Sequence, residues 1–167
     1  MTHVYIVAGA RTAFTEFGGS FAETDAAELG KMTATAALKR AGVRGEQIDH
    51  VIYGNVIHTS ENAAYLARHI GLKADVPEQI PALTLNRLCG SGAQSVVTAV
   101  QQILLNEAEI ILAGGAENMS MAPFANFSLR FRPPKMGDVK YVDMLTATLT
   151  DQYIGSGMGM TAEKLAE

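Results

Sequence analysis

The sequence has 167 residues, the length of one domain or of part of a larger one. Hydrophobic residues make up 48% and charged residues 18%, which excludes a disordered chain and predicts a buried core. The net charge of −4 disfavours a nucleic-acid-binding protein, and the absence of any apolar run of about 18 residues disfavours a membrane span. A single cysteine and the lack of a secretory leader pattern predict a reducing, cytoplasmic compartment.

Strand and helix patterns alternate along the first two thirds of the chain. Short apolar runs bounded by Gly or Pro predict strands at residues 4–8, 51–53, 81–85 and 110–113. Amphipathic or capped segments predict helices at residues 25–41, 63–70 and roughly 89–106. Because the strands are apolar throughout and are separated by helices, we predict an α/β fold with one mostly parallel sheet between helices.

The helix signals are specific enough to give boundaries. Asp25 and Glu28 resemble a capping box, Gly42 occupies a C-terminal glycine position, and Gly71 is expected to stop the second helix. An apolar stripe is predicted on the first helix at Leu29, Met32 and Ala36. An apolar face is predicted on the third helix at Ala93, Val96, Val97, Val100, Ile103 and Leu104.

The character of the sequence changes near residue 118. Periodicity is weak up to Gly157, and Pro123, Pro133 and Pro134 interrupt the segment. We therefore predict one domain over residues 1–118 and a second region over residues 119–167. Residues 120–157 are expected to be the least compact part of the chain. A helix pattern begins at Thr161 and reaches the chain end, which indicates a fragment of a longer protein.

The strongest candidate for chemistry is Cys89, which lies between a predicted strand and a predicted helix. Free backbone N–H groups and the dipole at a helix N-terminus favour a negatively charged sulfur, and they can also hold an oxyanion. Gly90 and Gly92 leave room for a substrate carbonyl beside the sulfur. The alternative is that Cys89 is an inert core residue, as most lone cysteines are.

Other motifs carry less information. The histidines at 3, 50, 58 and 69 have no metal-ligand spacing, and only His58, in a loop after a strand, is a candidate base for Cys89. Arg130, Arg132 and Lys135 form a basic cluster that is either a solvated loop or a contact to a phosphate-bearing ligand. The glycine-rich stretch at 155–159 fails the dinucleotide pattern because Met160 replaces its third glycine and no strand precedes it.

Several segments together resemble the thiolase family, in order and over essentially the whole chain. Asn-Arg-Leu-Cys-Gly-Ser-Gly at 86–92 is similar to the family's nucleophile motif, and Gly-Gly-Ala-Glu-Asn-Met-Ser at 114–120 is similar to a second family motif. Further similarity occurs at residues 7–14, 54–56, 67–72 and 158–163. The nearest branch is that of degradative 3-ketoacyl-CoA thiolases and acetyl-CoA acetyltransferases.

This resemblance implies an acyltransferase that works through a cysteine thioester in ping-pong fashion. It implies that Cys89 is the nucleophile and that its backbone N–H forms half of an oxyanion hole. It also implies that Leu149 and Met158 line the acyl and pantetheine pocket. Coenzyme A and acyl-CoA are then substrates, with no tightly bound cofactor and no metal.

The chain also departs from the family pattern. Gly157 stands where the family often has a histidine. The Asn-Glu-Ala-Phe, Gly-His-Pro and Cys-x-Gly segments of a second half are absent. The resemblance thus implies that residues 119–167 begin an inserted loop domain, that a missing C-terminal half supplies a histidine and a second cysteine, and that the intact enzyme is a homo-oligomer. The alternatives are a non-catalytic half that acts only by assembly with its complement, and a related condensing enzyme of lipid synthesis.

Overall fold

The computed structural model describes residues 3–167 and divides them into two compact units, one ending at Met121 and one running from Ala122 to Glu167. The division falls close to the change of character predicted at residue 118. That the second unit begins an inserted loop domain stays a prediction. No helix among the described residues is both long and apolar enough to cross a bilayer.

The first unit contains a parallel sheet with helices on both faces, which confirms the predicted α/β class. Its strands are β1 (His50–Gly54), β2 (Ala82–Leu85) and β3 (Ile111–Gly115), in the order β2-β1-β3. Its helices are α1 (Ala26–Ala41), α2 (Leu66–Lys73) and α3 (Ser91–Leu104). The carboxyl ends of all three strands therefore meet at one edge of the sheet.

Helix α1 begins and ends where its sequence signals predict. The Asp25 carboxylate accepts a hydrogen bond from the Ala27 N–H (2.7 Å), and Gly42 closes the helix with φ of 67°. The Glu28 side chain forms an ion pair with Lys73 of α2 instead of completing a capping box. Together α1 and α2 cover the sheet face that carries Val51, Tyr53 and Leu112 and bury most of the core there.

Helix α3 covers the opposite sheet face at unusually short range. A Cβ added at Gly54 would lie 2.5 Å from the Ser91 carbonyl carbon, and one added at Gly115 would lie 3.2 Å from the Gly92 Cα. The residues of α3 that are buried are small: Ser91, Ser95 and Ala99. The two glycines at the strand ends therefore set the distance between α3 and the sheet.

The second unit consists of short elements and has no buried residue. It contains the antiparallel pairs β4 (Phe124–Ala125) with β5 (Val142–Asp143) and β6 (Thr150–Asp151) with β7 (Ser156–Gly157), and the helices α4 (Met144–Thr148) and α5 (Met158–Ala166). All residues from Met119 to Glu167 are exposed or only partly buried. The absence of extensive burial agrees with the expectation for residues 120–157, although residues 3–25 contain no buried residue either.

The strand predicted at residues 4–8 is wrong. These residues lie outside every strand, and the side chains of Tyr5, Ile6 and Val7 are 73–83% exposed. The segment is apolar on both faces, which mimics a buried strand, but no strand among the described residues pairs with it. A strand requires a hydrogen-bonding neighbour, so an apolar pattern alone does not make one.

Three helix details also differ from prediction. Leu29 is buried as predicted, but Met32 is exposed, and Ala34 and Leu38 complete the buried side of α1. Gly71 packs against Val51 and does not stop α2, which continues to Lys73.

The apolar face predicted on α3 is mostly exposed. Val96 and Val97 are 37% and 46% exposed, whereas Val100 and Ile103 are half-buried.

Gly54→Ala is expected to destabilise the first unit by about 1–3 kcal/mol, because the added methyl group clashes with the backbone of Ser91 and over-packs the interface with α3. Urea denaturation followed by circular dichroism measures the change. Gly92→Ala, in the first turn of the same helix, is the matched control because its Cβ meets no atom within 4 Å. Equal stability of the two variants would contradict the close-approach argument.

Candidate active site

Cys89 lies in the turn that joins β2 to α3, at the carboxyl edge of the sheet. Strand β2 ends at Leu85, and α3 begins at Ser91 with Gly90 as its N-cap residue. The predicted position at the N-terminal end of a helix, after a strand ending near residue 85, is confirmed. The side chain is exposed, so Cys89 is not a buried core residue among the described residues, while its role as nucleophile stays a prediction.

The backbone of this turn is strained immediately before the cysteine. Leu88 has φ of 49°, in the left-handed region that residues with a Cβ rarely occupy. Such outliers cost about 1–3 kcal/mol and cluster at functional sites. A sharp strand-to-helix turn of this kind presents a nucleophile at the surface of the sheet edge.

Ser91 holds the strained turn in place. Its buried hydroxyl accepts a hydrogen bond from the Arg87 N–H (2.8 Å) and donates one to the Leu88 carbonyl (2.6 Å). The Asn86 side chain accepts a further bond from the Leu88 N–H (2.8 Å). The backbone on the N-terminal side of Cys89 is therefore fixed by side chains at both ends of the turn.

The backbone N–H of Cys89 donates to no acceptor within residues 3–167, and neither does its sulfur. The N–H is thus available to a substrate oxygen at the start of α3, where the helix dipole also favours negative charge. An exposed thiol beside a free N–H has the arrangement that nucleophilic attack on a carbonyl requires.

A buried polar cluster lies at the same sheet edge, after β1 and β3. The Glu117 carboxylate accepts hydrogen bonds from the Asn55 side chain (2.9 Å) and from the N–H groups of Val56 (2.9 Å) and Ile57 (3.2 Å). The Asn55 amide also donates to the Ala116 carbonyl (2.9 Å). The cluster ties the loop after β1 to the end of β3.

Burial raises the pKa of Glu117, because a charge is costly to remove from water. The hydrogen bonds from Val56, Ile57 and Asn55 and the nearby charge of His58 act in the opposite direction but do not cancel this effect. His58 itself is exposed, and no hydrogen bond joins it to Cys89 within the described part of the chain. Its role as a base stays a prediction.

Leu149 and Met158, the predicted pocket residues, lie next to each other in the second unit. The Met158 N–H donates to the Leu149 carbonyl (3.0 Å), and the β6–β7 pair lies between them in the chain. Both side chains are partly exposed, at 41% and 39%. The structure therefore brings these two residues together, while their role as a pocket stays a prediction.

The predicted basic cluster lies in the second unit, and all three of its residues, Arg130, Arg132 and Lys135, are exposed. Its contact with a phosphate-bearing ligand stays a prediction. Within residues 3–167 no group of three or more His, Cys, Asp or Glu side chains could hold a metal ion.

Sequence reasoning missed the roles of Ser91, Asn55 and Glu117. One signal was available for Glu117, a carboxylate placed directly after an apolar strand and two glycines. Its partners are backbone N–H groups more than fifty residues away in the chain. That pairing follows from the strand order and not from any local pattern.

The sequence model of the family "Thiolase, N-terminal domain" matches residues 4–167. The human mitochondrial 3-ketoacyl-CoA thiolase is 47% identical over 163 residues, and beta-ketothiolase BktB of Cupriavidus necator is 44% identical over 164 residues. Each alignment covers 98% of this chain but 41% of the relative. The chain therefore spans less than half the length of these curated relatives.

The solved structures of relatives agree with the sequence matches. The crystal structure of human mitochondrial 3-ketoacyl-CoA thiolase in complex with CoA superposes with a TM-score of 0.91, covering 96% of this chain and 41% of that chain. The Bacillus anthracis acetyl-CoA acetyltransferase superposes with a TM-score of 0.88 at 33% identity, with 96% and 40% coverage.

Ser91→Ala is expected to lower the free energy of unfolding by about 1–3 kcal/mol, because it removes the hydrogen bonds of the Ser91 hydroxyl with the Arg87 N–H and the Leu88 carbonyl. It is also expected to change the rate at which iodoacetamide alkylates Cys89, since the turn loses an anchor. Ser95→Ala is the control, because that buried hydroxyl only donates back to Gly92 within α3. Equal alkylation rates in the two variants would contradict the anchoring role of Ser91.

Glu117→Gln is expected to change how stability depends on pH. Because the folded pKa of Glu117 is raised above 4.5, its contribution to stability is complete below that pH and is lost as pH rises through the folded pKa. The free energy of unfolding of the wild type should therefore fall relative to that of the variant as pH rises from about 4. Urea titrations across this range measure the difference, with Glu109→Gln, an exposed glutamate just before β3, as baseline. A divergence of opposite sign would refute the assignment.

Proposed function

The chain belongs to the thiolase family, and on that premise we propose that it is the cysteine-bearing part of a CoA-dependent acyltransferase. The complete enzyme would interconvert a 3-ketoacyl-CoA plus CoA with acetyl-CoA plus a shortened acyl-CoA. The observation that carries the proposal is the exposed Cys89 after a strained residue, at the start of α3, with a free backbone N–H.

In this reaction the Cys89 thiolate attacks the 3-keto carbonyl carbon, and the oxygen gains negative charge. The free N–H of Cys89 is placed to donate to that oxygen. The bond between the α-carbon and the keto carbon then breaks, and the acetyl-CoA carbanion takes a proton from an acid. The thiol of CoA loses its proton to a base and attacks the acyl-cysteine thioester. Acyl-CoA leaves, and the Cys89 thiolate is restored.

Two further parts of the proposal concern substrate and assembly. Leu149 and Met158 would line the pocket for the acyl and pantetheine groups, and coenzyme A would act as a substrate without any tightly bound cofactor. The intact enzyme would be a homo-oligomer. A cytoplasmic compartment stays a prediction, since several relatives are mitochondrial by name.

A second candidate function is assembly without catalysis. It is favoured by the exposed apolar face of α3 and by the unpaired apolar residues Tyr5, Ile6 and Val7. On this alternative the chain would act only by binding a complement that covers these surfaces. The family match favours thiolase chemistry over the condensing enzymes of lipid synthesis.

The nucleophile is tested in protein expressed from the intact gene. Incubation with acetyl-CoA is expected to add one acetyl group to the peptide that contains Cys89, as read by mass spectrometry. Cys89→Ala should abolish the adduct. Acetylation at another residue, or none at all, would overturn the assignment of Cys89 and leave the assembly function as the better explanation.

The 167-residue chain by itself is expected to show no measurable thiolysis of acetoacetyl-CoA. Proton transfer at the α-carbon and at the incoming thiol needs an acid and a base, whose help is typically worth about 10²–10⁴-fold. The assay is run with the chain alone and then with an added chain that bears the Gly-His-Pro and Cys-x-Gly segments. Normal turnover by the chain alone, lost in Cys89→Ala, would contradict this expectation and identify a base within residues 1–167.

A further inference from the structure

Glu117 accepts more hydrogen bonds than any other carboxylate in the described part of the first unit. The reaction described above does not use it. It accepts three hydrogen bonds, one from a side chain and two from backbone N–H groups of the loop at 55–57. Neither of its carboxylate oxygens accepts a hydrogen bond from residues 86–90, the turn that carries Cys89. An effect of Glu117 on that turn must therefore pass through other residues.

A continuous path of hydrogen bonds leads from this loop to the cysteine turn. The Asn55 N–H donates to the Leu85 carbonyl (3.0 Å), the last residue of β2. The Asn86 side-chain amide donates to the Val56 carbonyl (3.4 Å), and its oxygen accepts from the Leu88 N–H (2.8 Å). The loop held by Glu117 therefore holds the residue directly before Cys89.

Glu117 is half-buried, and a half-buried carboxylate is a costly group with which to hold a loop. Burial raises its pKa despite the opposing hydrogen bonds, so the charge is held at an expense of stability. The Asn55 Oδ1 atom is also buried and has no partner within the described residues. A strained turn and a costly polar cluster at one sheet edge are typical of a site where stability is given up for geometry.

We propose that Glu117 is a positioning residue for Cys89, acting through the 55–57 loop and Asn86 to fix the turn at Leu88. The inference rests on the proposed function for its consequence in catalysis. It goes beyond that function because no step of the reaction requires Glu117. Loss of the carboxylate should misplace the sulfur and its N–H while leaving substrate binding intact, and displacements of about 1 Å can cost 10²-fold in rate.

The test uses protein expressed from the intact gene and compares Glu117→Gln with Glu109→Gln, an exposed glutamate that precedes β3 as Glu117 follows it. Alkylation of Cys89 by iodoacetamide is followed on its peptide by mass spectrometry from pH 6 to 9. We expect the rate–pH profile of Glu117→Gln to differ from the control by about 5-fold or more, and kcat to fall about 10-fold or more with KM within 2-fold.

Asn86→Ala tests the path itself. If Glu117 acts through Asn86, the double variant should alkylate at a rate within about 2-fold of the slower single variant. If the double variant instead slows alkylation by the product of the two single effects, Glu117 does not act through Asn86. A profile of Glu117→Gln that matches the control, in protein whose near-ultraviolet circular dichroism is native, would overturn the positioning role.

A second variant is available if Glu117→Gln does not fold. Glu117→Asp keeps the charge but shortens the side chain, and an unchanged alkylation profile in that variant would overturn the proposal.

The experiment also distinguishes failure of the proposed function from failure of the positioning role. A shifted alkylation profile in a protein without thiolysis activity refutes the function alone, whereas normal thiolysis with an unshifted profile refutes the positioning role alone.

Discussion

The close approach of α3 to the sheet is the constraint on which the candidate site depends. It is possible only because Gly54 and Gly115 carry no side chain where Ser91 and Gly92 pass above them. The backbone of Ser91 packs against Gly54, and the hydroxyl of the same residue bonds to both Arg87 and Leu88. One residue therefore joins the start of the helix to the sheet and to the strained turn before Cys89.

The polar cluster around Glu117 satisfies backbone N–H groups at the same edge of the sheet. The carboxyl ends of parallel strands leave loops whose N–H groups must be satisfied, and here a carboxylate satisfies those of Val56 and Ile57. An apolar residue at position 117 would leave both N–H groups without a partner. Burial outweighs these hydrogen bonds in its effect on the carboxyl group and raises the pKa of Glu117, so the ionised form is the costlier one in the folded chain.

Much of this could be predicted from the sequence, because the relevant signals are local. The apolar runs predicted three of the strands, Asp25 and Gly42 predicted both ends of α1, and the glycines around Cys89 predicted a turn at a helix start. What could not be predicted depends on partners distant in the chain. Residues 4–8 have the pattern of a strand but no neighbour, and Glu117 finds its donors across the sheet.

Two apolar surfaces of the first unit are exposed. Val96 and Val97 lie on α3 away from the sheet, and the apolar residues at 5–7 lie on an extended segment. Both have the composition of a core, and burying an apolar surface stabilises a protein by about 25 cal/mol per Å². Cys89 lies two residues before the start of α3, the helix that carries the first surface. Burial of that surface would therefore stabilise the same helix whose N-terminus positions the cysteine.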